Sequence, residues 1–574
     1  MQEQKSVYSE KIWQKNWDSG LKDLDPELWN MNILEALKDI FENHADKMAF
    51  SFTGMETNFG QIDLRANQFA NMLIDQGFEK GDIVGINLPN IPEYIFSVIG
   101  TLKAGCIVSG ISPLMSDVQM LHQINDLGGA GLKQVALVTL DAIFETRVTK
   151  IAPKAPDLKL VLATGIIGSL PKDQQEKIKA VRELPSGKVT PLENVTVMDY
   201  WDDVMAKYSS DPVNVDISPD DLGFIQYTGG TTGPAKGAML KHSNIVAFMN
   251  ITKAWLKSTG GAVSGFPFFH IAGLAFCLNT MYNGVYSVLI PDPRDTLTIC
   301  NAIKQYKPKF LVNVPSLFQL LINFRKFKRL DHSTLELCIS GASPFPVESQ
   351  KALESIVGQG KLMEVYGMTE STALITMNPA TGTKKLGTVG LPILNYDVKI
   401  VDPDTGEEVP LGEPGEICAR GPMIMKGYYN KPEETKNALD KDGYMHTGDV
   451  GIMDEDGYFR IVDRTKDMII VSGFKVFSAK LEDTLTKHPA IGMIALIGVP
   501  NPDRPGSEIV KAFIQLDPSY EFDGNKEALK EDIISFAKEK CAPYEVPKMI
   551  VITEELPLTA VGKVDKKVLR SKKD

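Results

Sequence analysis

The sequence predicts an α/β protein with a large N-terminal domain of helix-flanked sheets and a small β subdomain, followed by a small α/β C-terminal domain. Three observations predict it. Helical and strand patterns alternate through the first half, as they do when crossover helices join the strands of an open sheet. Near Val389 the texture changes to short strands and turn signals. After Arg464 an α/β pattern resumes in a tail of roughly 110 residues, enough for a core of its own. The length of 574 residues fits several lobes at ~150 residues each.

Taken in order, Ile62, Ala66, Phe69, Ala70 and Leu73 share one helical face, and Gly77 is placed to end that helix. "DIVGINL" (Asp82–Leu88) reads as a buried strand, Ile91 to Lys103 as a helix stopped near Gly105, and "CIVSGI" as a second strand. Phe224 to Tyr227 reads as a short strand running into a glycine loop. Ser243 or Asn244 is placed as N-cap of the apolar helix beyond, so the loop is read as lying between a strand and a helix. The pattern returns from Thr298 to Ser340 and ends in "TLELCIS". In "YDVKIVDPDTGEEVPLGEPGEICARG", Asp404-Thr405-Gly406 and Glu413-Pro414-Gly415 mark turns between antiparallel strands, and "DEDGYFRIVDR" adds a hairpin ending at Arg464. The charged stretch Asp463–Asp467 is placed as the boundary, giving domains over 1–463 and 464–574 with the β subdomain over about 389–463.

Composition excludes several classes. A net charge of −12 argues against a nucleic-acid partner. Six scattered cysteines without a CxxC pair read as buried small hydrophobes in a reducing compartment, and seven histidines show no metal-ligand spacing. The polar N-terminus lacks a signal-peptide core, and no apolar run approaches the ~20 residues of a membrane span. The expectation is a cytoplasmic protein, monomer or homodimer, with peripheral membrane contact left open.

"YTGGTTGPAKG" (Tyr227–Gly237) is rich in glycine and threonine and carries one lysine. Such a backbone comes close to something, and with a lysine that something is often phosphate. It is not a P-loop, since Lys236 sits between Ala235 and Gly237 rather than before a Ser or Thr.

Further motifs follow in order: "FPFFHIAGL" (Phe266–Leu274), "CISGASPFP" (Cys338–Pro346), "EVYGMTES" (Glu364–Ser371), "MHTGDVG" (Met445–Gly451) and "LPLTAVGKVDKKVLR" (Leu556–Arg570). Together they resemble the adenylate-forming acyl-CoA synthetases over nearly the whole chain, and most closely the fatty-acid CoA ligases. The resemblance implies that a carboxylate attacks the α-phosphate of ATP, giving an acyl-adenylate and pyrophosphate. The CoA thiol then attacks that mixed anhydride and expels AMP. Both steps gather charge on phosphate oxygens, which fixed donors and cations stabilise.

On that resemblance, Thr228, Gly229, Gly230 and Thr231 hold the β- and γ-phosphates together with Thr232, Gly233 and Lys236. Gly341, Ala342 and Ser343 line adenine and acyl group, and Glu364, Val365, Tyr366 and Gly367 flank the adenine face and the acyl pocket. Thr369 bonds the α-phosphate. Glu370 coordinates Mg²⁺, with Thr232 beside it. Asp449 and Arg464 hold the ribose hydroxyls, and His270 stands between acyl and phosphate sites. Lys563 bridges the carboxylate and the α-phosphate. The C-terminal domain is implied to be mobile about a hinge at Lys466, presenting first Lys563 and then the strand around Ile470–Val476, with Lys475, to CoA.

Several positions depart from the family pattern. Gly229 replaces a serine and Ala235 a proline, Glu364 stands where Gln or Asn is common, and Lys480 stands where Glu is frequent. Acetate-type relatives carry tryptophan at the position of Gly367, so glycine there implies an acyl chain longer than acetate. Val365 adds bulk to the same wall. Phe268, Phe269, Leu274 and Phe276 make the surroundings apolar. The expected substrate is a medium- to long-chain fatty acid. The alternatives are an aromatic, alicyclic or dicarboxylic acid, or passage of the acyl group to an acceptor other than CoA.

Overall fold

The computed structural model describes residues 6–129, 131–228, 235–257, 260–472, 474–502, 504, 507–518, 520–558 and 564–571. Strands β1 (Ile83–Asn87) and β2 (Ile107–Gly110) lie parallel and adjacent, joined by helix α1 (Pro92–Lys103). Pro92 sits in the first turn of α1, where a missing N–H costs nothing. Every residue from Pro92 to Leu102 is buried, so a helix that is apolar all round is packed all round. Gly100 permits the closest of these approaches, because a Cβ there would lie 2.7 Å from the Ala66 carbonyl oxygen.

Strand β3 (Leu222–Tyr227) adds parallel to β2, and β4 (Gly237–Lys241) returns antiparallel to β3 with Tyr227 opposite Gly237. The glycine loop is therefore the tip of a hairpin and does not lead directly into a helix. Helix α2 (His242–Leu256) begins after β4, with Lys241 at its N-cap. Asn244, expected at or next to the cap, is two residues inside the helix, and its Oδ1 accepts the Lys241 N–H at 2.8 Å. "GAMLK" hides a strand because it has no β-branched residue.

These strands belong to a sheet of eight, and a second sheet of nine includes β5 (Ala262–Ser264), β6 (Phe310–Asn313), β7 (Leu337–Ser340) and β8 (Leu362–Tyr366). β5 to β8 run parallel, with helix α3 (Ile271–Tyr282) after β5 and α4 (Val347–Val357) before β8. Alternate residues of these strands feed different cores, as the pleat requires. Val312, Ile339 and Met363 join the core shared with β1 and β2. Leu311, Cys338 and Leu362 pack with Phe318 and Leu353 on the other face.

The β subdomain is a four-stranded antiparallel sheet of β9 (Asp397–Val401), β10 (Gly415–Arg420), β11 (Met445–Met453) and β12 (Phe459–Arg464). Beyond it come the hairpin β13–β14 (Ile469–Val471, Phe474–Val476) and helix α5 (Ser478–Leu485). A three-stranded sheet follows, of β15 (Ile491–Pro500), β16 (Glu508–Leu516) and β17 (Met549–Thr553). Leu481, Leu485, Leu496, Ile514 and Ile533 form a core there that is separate from those of the sheets above. The molecule is thus α/β, as expected. All six cysteines are unpaired, five of them buried, and no described helix is long and apolar enough to cross a membrane.

Candidate active site

Strand β11 places Asp449 directly opposite Arg464, the last residue of β12. The chain reaches Asp449 through Gly448 at φ +69°, a backbone shape that favours glycine. Asp449 Oδ2 accepts the Tyr366 hydroxyl at 2.7 Å, and Oδ1 lies 3.2 Å from Arg464 Nε. Tyr366 comes from the end of β8, so three strands of two sheets converge on one carboxylate. Burial, and then the charge of Asp449, pushes the Tyr366 hydroxyl well above its ordinary value. It therefore stays a proton donor to Asp449. A buried carboxylate beside a half-exposed guanidinium offers acceptors and donors to a vicinal diol.

A second cluster forms past β8. The short turn Thr369–Ser371 leads into Thr372 and Ala373 at φ 50° and 77°, and the chain reverses to pair Thr376–Met377 with Val365–Tyr366. This reversal buries Thr369 and Glu370. Glu370 Oε1 accepts the Tyr428 hydroxyl at 2.5 Å. Lys236 Nζ stands 4.4 Å from the centroid of the Tyr428 ring and pairs with Glu434 at 2.8 Å. Burial raises the Glu370 carboxyl, and Tyr428 and Lys236 offset part of that rise. A buried carboxylate so incompletely compensated fits a hard divalent cation as its missing partner. The neck of the glycine loop is closed by the Thr228 N–H donating to the Lys236 carbonyl at 2.9 Å. Gly229, Gly230, Thr231, Thr232 and Gly233 lie outside the described residues, as does Lys563.

Between these clusters, β7 ends in Gly341-Ala342-Ser343, with Ala342 at φ 70°. That conformation costs a non-glycine residue ~1–2 kcal/mol, and such outliers gather at functional sites. A Cβ at Gly341 would lie 2.7 Å from Val365 Cγ2, so the two positions touch. Glu364 is buried, its Oε2 accepting Gln350 Nε2–H at 2.5 Å. Burial pushes its carboxyl up to about 8, with the Gln350 bond opposing. At neutral pH it is mostly protonated, and so offers a donor and an acceptor as an amide does.

The sequence reading of Gly367 changes. Gly367 does not simply leave a pocket open, because a Cβ there would lie 2.2 Å from the Ala373 carbonyl oxygen. The glycine is required by the chain reversal after Ser371. His270 stands at the N-cap position just before α3, its N–H donating to the Pro267 carbonyl at 3.1 Å. Lys475 Nζ lies 3.4 Å from Asp402 and 3.5 Å from Asp404 on the β9–β10 turn. Sequence reasoning missed Tyr428, Gln350 and Glu434. Only the tyrosine left a trace, an aromatic after glycine in "MKGYYN".

Fold and geometry thus give an α/β protein in which two polar clusters meet where the end of β8 faces the β subdomain. Comparison with known proteins then places it. The model for AMP-binding enzymes matches residues 37–429, and that for the AMP-binding enzyme C-terminal domain matches 480–563. The chain is 33% identical to a long-chain-fatty-acid–CoA ligase of Escherichia coli O6:H1 over 98% of each chain. It is 34% identical to that of Bacillus subtilis over 97% of each. Among solved structures it resembles ATP-bound MatB from Rhodopseudomonas palustris (TM-score 0.78, 25% identity, 94% of this chain and 98% of that one). The anthranilate CoA ligase AuaEII with anthranoyl-AMP gives a TM-score of 0.81 at 24% identity, covering 96% and 98%, which speaks to the fold. The chain belongs to the AMP-binding enzyme family. It is an AMP-forming acid–thiol ligase.

Proposed function

We propose that this ligase activates a medium- to long-chain fatty acid with ATP and passes the acyl group to CoA, releasing AMP. The observation that carries the proposal is the meeting of two clusters at the end of β8: Tyr366, Asp449 and Arg464 on one side, Glu370, Tyr428 and Lys236 on the other. The first suits a ribose diol and the second a metal-bound polyphosphate. When bound, Mg²⁺ supplies positive charge to the phosphate oxygens, and Glu370 would hold it. Lys236, paired with Glu434 and lying over the Tyr428 ring, would add its charge to the same oxygens. Protonated Glu364 fills the amide-like role at the base, which answers the departure seen in the sequence. Lys563 is proposed to bridge carboxylate and α-phosphate, Thr369 to bond the α-phosphate, and His270 to stand between the acyl and phosphate sites.

The choice of acid rests on the relatives named above and on an apolar seam between α1 and α3. Phe268, Leu274 and Leu278 line it against Val98 and Ile99. Phe268 stands two residues before His270, so the seam adjoins the segment proposed to face the acid. Its apolar lining disfavours a carboxylate or hydroxyl at the far end of the acid.

The test is CoA-dependent AMP formation, with ATP and Mg²⁺, across acetate, octanoate, palmitate, benzoate and malonate. Octanoate or palmitate should give the highest kcat/KM. Faster turnover of benzoate or malonate would replace the fatty acid by the corresponding class. Adenylate formation without CoA-dependent AMP release would show a different acceptor.

A further inference from the structure

Strands β10 and β11 carry a cluster that the chemistry above does not use. Pleating puts Glu416 and Cys418 on the same face of β10, and register sets His446 of β11 directly opposite Cys418. His446 Nδ1 lies 2.9 Å from Glu416 Oε2 and 3.5 Å from Cys418 Sγ. One donor atom from each of the three residues falls within 4.8 Å of the others. The second ring nitrogen, Nε2, faces the Asp440 carboxylate at 3.9 Å.

We propose that Glu416, Cys418 and His446 form a binding site for a soft divalent cation of the zinc class. A thiolate, an imidazole and a carboxylate make a mixed set of the kind that takes Zn²⁺, with water free to complete a tetrahedron. Bond lengths of ~2.0–2.3 Å place tetrahedral ligand atoms ~3.3–3.7 Å apart, so the sulfur–nitrogen spacing already fits and the nitrogen–oxygen contact opens by a few tenths of an ångström. Asp440, 3.9 Å from the far ring nitrogen, is placed to close into the carboxylate–histidine contact that orients a ligating imidazole. Lys399, opposite Cys418 on β9, is drawn over the Tyr444 ring, 4.3 Å from its centroid. On binding, the thiol proton of Cys418, and any proton on Nδ1, pass to solvent as the metal–sulfur and metal–nitrogen bonds form. Cys418 is buried but His446 is partly exposed, which gives the ion a way in.

The site is coupled to the nucleotide hook by one bond. Glu416 Oε1 accepts the Gly448 N–H at 2.9 Å, and Gly448 carries Asp449. An ion held by Oε2 fixes the carboxylate whose other oxygen pins that turn. This consequence rests on the reading of Asp449 as the ribose hook, whereas the metal site does not.

The experiment titrates the full-length, reduced and metal-free protein with Co²⁺, a spectroscopic stand-in for Zn²⁺. Thiolate-to-cobalt charge-transfer absorption is expected at one ion per chain and should be displaced by Zn²⁺. Cys418→Ser should abolish the band, and His446→Gln should weaken Co²⁺ binding at least 10-fold. Cys541→Ser removes the partly exposed thiol and should leave the band intact. If Cys418→Ser fails to fold, the wild-type band together with its weakening in His446→Gln decides. No band in the wild type, a band lost in Cys541→Ser, or a band indifferent to His446 overturns the site. Coupling is read separately: adenosine, which has no phosphate to chelate the metal, should bind more tightly with Zn²⁺ present. Equal adenosine affinity with the band intact overturns the coupling alone.

Discussion

The residues proposed to handle the nucleotide are bonded to one another around a buried carboxylate, whereas Lys475, proposed to serve CoA, is exposed and paired with carboxylates of the β9–β10 turn. Asp449, Tyr366 and Arg464 hold one another before any ligand arrives. Lys475 instead pairs across the lobes with Asp402 and Asp404. The difference teaches where preorganisation resides. Groups proposed to serve both half-reactions are built into strands whose register cannot slip. The group proposed to serve only one sits on the domain proposed to move, and surface pairs of modest strength hold it.

The largest effect that would sharpen this contrast is proposed for Lys563. Lys563→Ala should slow adenylate formation ~10²–10³-fold, the scale of one preorganised charge-stabilising donor. Thioester formation from pre-made acyl-adenylate should stay near the wild-type rate. Lys466→Pro should show the opposite split, because proline fixes φ at the proposed hinge. Quenched-flow assay of both half-reactions checks the pair, and equal slowing of both steps by Lys563→Ala would erase the distinction between lobes.

Next comes Asp449→Ala, expected to cost ~2–3 kcal/mol in kcat/KM for ATP, since Tyr366 and Arg464 lose a buried charged acceptor. Steady-state kinetics over ATP concentration measures it. An unchanged value would make the bonded cluster a structural corner.

A third effect is on stability. Glu364 ionises at about 8 in the folded protein against an ordinary 4.5. Between those values the unfolded carboxyl is charged and the folded one is protonated, so stability falls as pH rises through that window. Glu364→Gln removes this dependence and should raise the melting temperature relative to wild type more at pH 8.5 than at pH 5. Parallel wild-type and mutant curves across that range would show that the carboxyl is not held protonated.

The smallest effect is expected from Lys475→Ala. An exposed pair contributes ~0.2–1 kcal/mol, so the balance between lobe orientations, read as the thioester rate, should move less than about 5-fold. A larger change would mean that the interlobe pair is a latch.

The sequence made some parts of this site legible and hid others for physical reasons. "HTGD" and "EVYGMTE" mark the site because a turn or a strand end places their side chains locally, and Asp449, Tyr366 and Glu370 are found together. The hairpin at the glycine loop was hidden because β4 has weak strand propensity and is paired through contacts that the local pattern does not encode. Gln350 and Tyr428 were invisible because their importance arises only when α4 and the "GYY" segment fold against residues distant in sequence. Gly367 was visible, but its role was misread: packing against the Ala373 backbone explains the glycine without reference to the acid.

Arg464 ends β12, and the Thr465 N–H that follows donates to the Gly448 carbonyl at 2.9 Å. The proposed ribose clamp and the first link toward the C-terminal domain are therefore one piece of knitted backbone. A nucleotide held by Asp449 and Arg464 would act like a thumb on a knot, steadying the fulcrum of the proposed rotation. Without the nucleotide that stitch stays tied on its far side by Arg570, which holds the Lys466 carbonyl and the Asp467 carboxylate. The Thr465 amide hydrogen should therefore exchange more slowly with nucleotide bound than without it.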